Sequence, residues 1–185
     1  MNLSANLALI IVTALISFAA IARPSLRDRL MFTTKSLKLG QFERLLTHGF
    51  VHADFNHLFF NMFTLFFFGL VVERSFDQYF SGAYALFYLI AIVVAILPTV
   101  YAQRKNVNYA SLGASGAVSA VLFYYVIKNP TSMLYLFAIV PIPALLFAIA
   151  FVGYGLYAQA KGQGRINHSA HLTGALFGVI AAVVL

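Results

Sequence analysis

Gly113-Ala114-Ser115-Gly116-Ala117-Val118-Ser119-Ala120 is a run of small residues in a chain that is otherwise large and oily. It opens an apolar stretch, 113–128, that closes at Lys128-Asn129-Pro130. At 1.5 Å per residue such a stretch covers about 24 Å, less than a hydrocarbon core of about 30 Å. Lys128 and Pro130 pin its lower end to one surface. Its upper end, with Ser115, is therefore expected to begin inside the membrane. Non-helical backbone at that depth is tolerated only beside protein or water. The stretch predicts a short central helix rising to the floor of a wet cavity, with a helical bundle around it.

The composition agrees with that environment. Of 185 residues 62% are hydrophobic and 9% charged, which points to a polytopic membrane protein in contact with the lipid bilayer. The chain has no cysteine, which rules out disulfides and thiolate metal sites. Its net charge of +7 fits loops facing anionic lipid. No interleaving of basic and aromatic residues points to nucleic acid. The run Leu3 to Ala22 resembles a signal peptide near Ala20-Ile21-Ala22, but no Lys or Arg precedes it and it is long enough to span, so it is read as a first transmembrane helix.

Six spans are expected, at 3–22, 55–73, 80–103, 113–128, 132–158 and 167–185, making an all-α bundle in a single domain over 1–185. Pro141 and Pro143 should kink or break the fifth. The long first loop, 23–54, carries apolar residues at helical spacing from Phe42 to Phe50, the pattern of short helices lying in the interface. The link Lys161-Gly162-Gln163-Gly164-Arg165 reads as a turn or as a mobile cap.

Three polar sets stand where a bilayer forbids idle ones: His57 with Asn61, Ser115, and His171. Ser115 lies about 20 Å above Lys128, and His171 about 21 Å above Leu185. His57 and Asn61 lie about 24 and 18 Å above Glu73. Spans two, four and six run the same way, so all four side chains fall in one layer. His171, Gly174 and Gly178 share a helix face, and Gly174-xxx-Gly178 is a small-residue packing stripe. Opposite it, Gly116, Ala117, Ser119 and Ala120 leave little bulk, so helices four and six can approach closely.

A serine hydroxyl needs a base to take its proton, and His171 is the candidate. No Asp or Glu follows Asp77, so the pair is a Ser-His dyad without an acid. His57 and Asn61, one helical turn apart, and the Ser115 backbone N–H can serve as an oxyanion hole. Ser115 at a helix start also gains from the positive end of the dipole. The reading needs no cofactor and no metal.

Gly113-Ala114-Ser115-Gly116, preceded by His57-xxx-Asn61 and followed by Ala170-His171-xx-Gly174, resembles the rhomboid intramembrane serine proteases over nearly the whole chain. The resemblance implies a rhomboid-like fold and a serine endopeptidase in the cell membrane. Its substrates would be single-pass transmembrane proteins, preferably with small residues at the cut and helix breakers nearby. Ser115 would be the nucleophile, His171 the base, and His57, Asn61 and the Ser115 amide the oxyanion donors. Three positions depart from the family pattern. Glu43-Arg44 stands for a Trp-Arg pair, and Glu73-Arg74-Ser75 for Glu-x-Arg. Ser119 stands where some members carry an aromatic against the histidine, and is expected to hydrogen-bond His171 instead.

Blander readings compete. A lone GxSG in a membrane helix is usually a packing seam, and His57 with Asn61 can be interhelical hydrogen-bond glue. His168 rivals His171 as the base. His48 and His52, four apart but without carboxylate or cysteine partners, read as loop hydrogen-bonders rather than metal ligands. The alternative functions are a catalytically inactive rhomboid-like protein that binds membrane clients, and a small transporter or metal carrier. Ten of the 12 Lys and Arg lie in loops on the Ser115 face, so the positive-inside rule points that face to the cytoplasm. The family resemblance points it outward, and partly embedded loops reduce the weight of the charge count.

Overall fold

The computed structural model describes residues 4–136, 139–161 and 167–185. The link beyond Lys161, read above as turn or cap, lies outside them. α1 (Ala5–Ala22) leads into a first loop built of α2 (Pro24–Leu30), β1 (Phe32–Thr33), α3 (Thr34–Lys38), α4 (Arg44–Thr47) and a 3-10 turn at His48–Phe50. α5 (Phe55–Thr64) and α6 (Leu70–Phe76) form one rod through a π turn at Leu65–Gly69. Then come α7 (Ala83–Gln103), β2 (Ala110–Ser111), α8 (Ser115–Lys128), β3 (Met133–Leu136), β4 (Val140–Pro143), α9 (Ala144–Lys161) and α10 (His168–Val184).

The burial pattern is that of a helical membrane bundle. α1 hides Asn6, Thr13 and Ser17 and exposes Leu15 and Phe18, 66% and 52% accessible. Polar groups inside and large apolar ones outside reverse the soluble pattern and suit lipid contact. Among the described residues, α1, the α5–α6 rod, α7 and α9 are long and apolar enough to cross a membrane. α8 and α10 are shorter apolar helices. α8 is the central one, buried continuously from Gly116 to Tyr124. Its 14 residues rise about 21 Å, as a helix that starts below the surface must.

α10 packs backbone to backbone on α8. A Cβ at Gly174 would collide with the Gly116 carbonyl, and one at Gly178 with the Ala120 carbonyl. The small-residue stripes therefore meet as their spacing predicts, and this contact fixes His171 relative to Ser115.

At the start of the π turn the Leu65 carbonyl accepts from the amide of buried Asn6 of α1 at 3.0 Å. Tyr84 of α7 donates its hydroxyl to Asn6 Oδ1 at 2.8 Å. One turn beyond, the Glu73 carboxylate accepts from the Ala5 and Asn6 amides, at 2.6 and 3.3 Å, and so caps α1 at its N-terminal end. The altered Glu73-Arg74-Ser75 sequence thus keeps an anchoring glutamate. Arg44 likewise holds the first loop, donating to the Asp28 and Met31 carbonyls at 2.7 and 3.2 Å.

The fifth span breaks at its prolines, one of the two outcomes expected, but its helix starts later than the expected 132. Its prolines break it completely: the helix begins only at Ala144, and Met133–Leu136 pairs with Val140–Pro143 as an antiparallel hairpin. Ala144 N–H donates to the Ser132 carbonyl, so the bonded pairs alternate from there along the ladder. Pro141 and Pro143 fall at the non-bonded positions, opposite Tyr135 and Met133. Their missing N–H groups lie on the outer edge, where an unpaired donor would be costly beside lipid. A second short pair, Phe32–Thr33 with Ala110–Ser111, ties the first loop to the segment that enters α8.

Candidate active site

The site is assembled where α5, α8 and α10 begin, under the first loop. Each start has a local cause. Asp54 caps α5 by accepting from the His57 N–H at 2.8 Å. Asn167 caps α10 through its side-chain oxygen, which accepts from Ala170 N–H at 3.1 Å and from the Thr99 hydroxyl at 2.9 Å. Its amide donates to Tyr109 Oη at 3.1 Å, so one residue joins α7, the strand β2 region and α10. α8 starts at Ser115 after Gly113, which has a φ of +110° that side-chain-bearing residues rarely adopt. The space a Cβ would take at Gly113 is filled by the His57 imidazole, with Nε2 at 2.7 Å from that position.

Ser115 Oγ lies 2.6 Å from His171 Nε2. With His171 neutral, the hydroxyl donates to Nε2 and the ring proton sits on Nδ1. His57, Asn61, Ser115 and His171 all line one cavity of about 1020 Å³, together with Gly113, Gly116 and Ser119. Asn61 spends one amide hydrogen on the His57 carbonyl at 2.8 Å and retains the other. The first N–H groups of α8 have no intrahelical acceptor, because a helix start leaves them unpaired. Gly116 is confined by Ala95 Cβ and the Ala170 carbonyl, and Gly174 by Gly116.

One expectation needs revision. Ser119 does not turn to His171; its hydroxyl donates to the Ser115 carbonyl at 2.8 Å, the usual back-bond of a helical serine. His168 packs edge-on to His171, with centroids 6.2 Å apart, while His171 holds the contact with Ser115.

His52 and His48 build the roof over the site. Ala114 N–H donates to His52 Nε2 at 3.3 Å, which leaves the proton on Nδ1 to donate to Ser17 Oγ at 2.8 Å. Ser17 in turn donates to the Phe50 carbonyl at 2.9 Å. His48 Nδ1 donates to the Arg44 carbonyl at 3.1 Å, and the His48 carbonyl accepts from Gly113 N–H at 2.9 Å. Burial pushes both loop histidines down, His48 to about 4 and His52 to about 3. For His52 the neighbouring His57 lowers it further, while Asp54 works in the opposite direction.

These shifts set a pH dependence. Both rings must stay neutral in the folded state, whereas the unfolded chain takes up a proton at each near 6.5. Their contribution is therefore complete above about pH 6.5 and is lost as pH falls toward 4 and 3. Thermal unfolding in detergent micelles should show stability falling below about pH 6.5, with a slope approaching two protons between about 6 and 4. His52→Gln should remove about one proton from that slope; an unchanged slope would contradict the assignment.

Comparison with known proteins bears on the family. The family model of the rhomboid domain matches residues 39–185. The RHOMBOID-like protein 12, mitochondrial, of Arabidopsis thaliana is 34% identical over 166 residues, 83% of this chain and 49% of that protein. The Rhomboid protease GlpG of Haemophilus influenzae is 32% identical over 138 residues, 74% of this chain and 66% of that protein. The Rhomboid protease GluP of Bacillus subtilis is 31% identical over 150 residues, 79% of this chain and 26% of that protein. The chain spans about half of the first relative and just under two-thirds of the second.

Proposed function

The chain belongs to the rhomboid family, and from that premise we propose that it is an intramembrane serine endopeptidase working by a Ser115–His171 dyad. The 2.6 Å contact between Ser115 Oγ and His171 Nε2, inside a cavity within a membrane bundle, is the observation that carries the reading. His171 takes the hydroxyl proton as Ser115 Oγ attacks the scissile carbonyl carbon. The oxyanion that forms is met by the Ser115 N–H, His57 and the free hydrogen of Asn61. His171 then passes its proton to the leaving amine, and water hydrolyses the acyl-enzyme by the same route. The substrates are single-pass membrane proteins, with a cut site that unwinds to expose its carbonyl to Ser115.

Substrate has to enter from the lipid, between helices. The flank formed by α5, the β3–β4 hairpin and α9 is the candidate door: it holds a second, apolar cavity of about 430 Å³, lined by Phe59, Phe63, Leu134, Ile142 and Phe147. A covalent cross-link from α5 to α9 should block cleavage of a membrane-embedded substrate; full activity in the cross-linked protein would rule out this door.

The deciding experiment is cleavage of a reporter single-span substrate by purified protein in lipid vesicles, with fluorophosphonate labelling alongside. Labelling in the wild type and none in Ser115→Ala supports the enzyme. Substrate binding without cleavage or labelling would favour the client-binding alternative. Within the same assay, His57→Ala and Asn61→Ala should each lower kcat by about 10²–10³, since one oxyanion donor is worth about 3–4 kcal/mol. A change confined to KM would remove them from that role.

A further inference from the structure

Among the described residues, His171 lacks the hydrogen-bonded supports that usually hold a catalytic imidazole. The last acid in the chain is Asp77, Ser119 is committed to the Ser115 carbonyl, and among the described residues nothing accepts from Nδ1. One flat contact remains. The Phe151 ring of α9 lies 28° from parallel to the imidazole, with centroids 6.2 Å apart. We propose that Phe151 is the positioning residue for His171, supplying from α9 the aromatic face that the Ser119 position lacks. The inference rests on the protease reading above.

Phe151 is itself braced. It packs on Phe123 of α8 at 5.2 Å and on Phe147, one turn earlier, at 6.0 Å. One turn later Gly155 lets α9 close on α10: a Cβ there would lie 2.9 Å from Leu172 Cδ2. A ring stacked in this way does two things. It confines the imidazole to the plane that aims Nε2 at Ser115. It also faces the imidazolium that forms as Ser115 attacks, and an aromatic face attracts a cation more than a neutral ring. The second effect grows toward the transition state, so it raises kcat rather than tightening substrate binding. α9 also turns most of its surface outward. Its contact face is the narrow stripe Ala144, Ala148, Gly155 and Ala158, while Leu145, Ile149 and Leu156 face outward. Displacing α9 to admit substrate would withdraw the ring, so full support of the base returns only when α9 is seated again.

The test compares Phe151→Leu, which keeps apolar bulk without a ring, with Phe151→Tyr, which keeps the ring, in the vesicle cleavage assay. Phe151→Leu should lower kcat about 10- to 30-fold with KM changed less than about twofold, and slow fluorophosphonate labelling in parallel. Phe151→Tyr should recover most of that loss, and so should the added ring of Ser119→Phe in the Phe151→Leu background. Phe151→Met carries the same comparison if the leucine variant does not purify as a folded protein. Equal losses in the leucine and tyrosine variants, a loss confined to KM, or a Phe151→Leu enzyme as fast as wild type or faster would each overturn the proposal. A wild type that neither cleaves nor labels would overturn the protease reading first, and this inference with it.

Discussion

Ser115→Ala and His171→Ala should each lower kcat by about 10⁴–10⁶, and the double variant should fall no further than either single one. The non-additivity follows from the chemistry. Without the imidazole the hydroxyl keeps its proton and is a poor nucleophile; without the hydroxyl the imidazole has nothing to activate. On the proposed mechanism the 2.6 Å contact joins the two side chains into one reacting unit. The residual rate is that of water in a site that still carries oxyanion donors. Ser115→Ala should leave the fold intact, because α8 is held by backbone contact with α10 rather than by this hydroxyl. Equal melting temperatures with lost cleavage is the expected pair of results. A His171→Ala protein that keeps more than about 1% of wild-type kcat would point to another base, and His168 would be the first to examine.

Much of this arrangement is legible in the sequence because a bilayer makes polar residues expensive. His57, Asn61, Ser115 and His171 stand out against their surroundings, and helical rise alone puts them at one depth. Gly174 and Gly178 announce the close helix pair by their spacing, which Ala170 and Ala182 continue on the same face. The fifth span is harder to read. Leu134-Tyr135-Leu136 is apolar at every position, so an alternating strand pattern is invisible beside lipid, and only Pro141 and Pro143 signal the break. Phe151 gives no signal either. It is one aromatic among Phe147, Tyr154 and Tyr157 on an apolar helix, and its partner His171 lies 20 residues on, in the next helix. The back-bond of Ser119 was within reach, since a serine in a helix interior commonly bonds the carbonyl four residues earlier. His52 shows the opposite limit. Its polarity is visible, but its link from Ser17 of α1 to the Ala114 amide depends on how the whole loop folds over the site.

Gly174→Ala adds a single methyl group and should cost more than any other glycine-to-alanine change among α8, α9 and α10, apart from Gly178→Ala. On helix propensity alone the substitution is favourable, by about 1 kcal/mol. Gly153→Ala in α9 should show that benefit, because no atom lies within 4 Å of the added Cβ. At Gly174 the added carbon meets the Gly116 carbonyl, which is helix backbone and has no rotamer to escape into. The helices must part, and overpacking of this kind costs about 1–3 kcal/mol or more. The activity penalty is larger than the stability penalty. Gly174 is three residues after His171 and packs on the residue next to Ser115, so any separation opens the Oγ–Nε2 contact directly. A misplacement of about 1 Å can cost about 10²-fold in rate. Melting in micelles should therefore rank Gly153→Ala at or above wild type and Gly174→Ala well below. Cleavage by folded Gly174→Ala, measured at a temperature well under its own midpoint, should fall about a hundredfold. If folded Gly174→Ala cleaved as fast as Gly153→Ala, the α8–α10 contact would not be what holds nucleophile and base together.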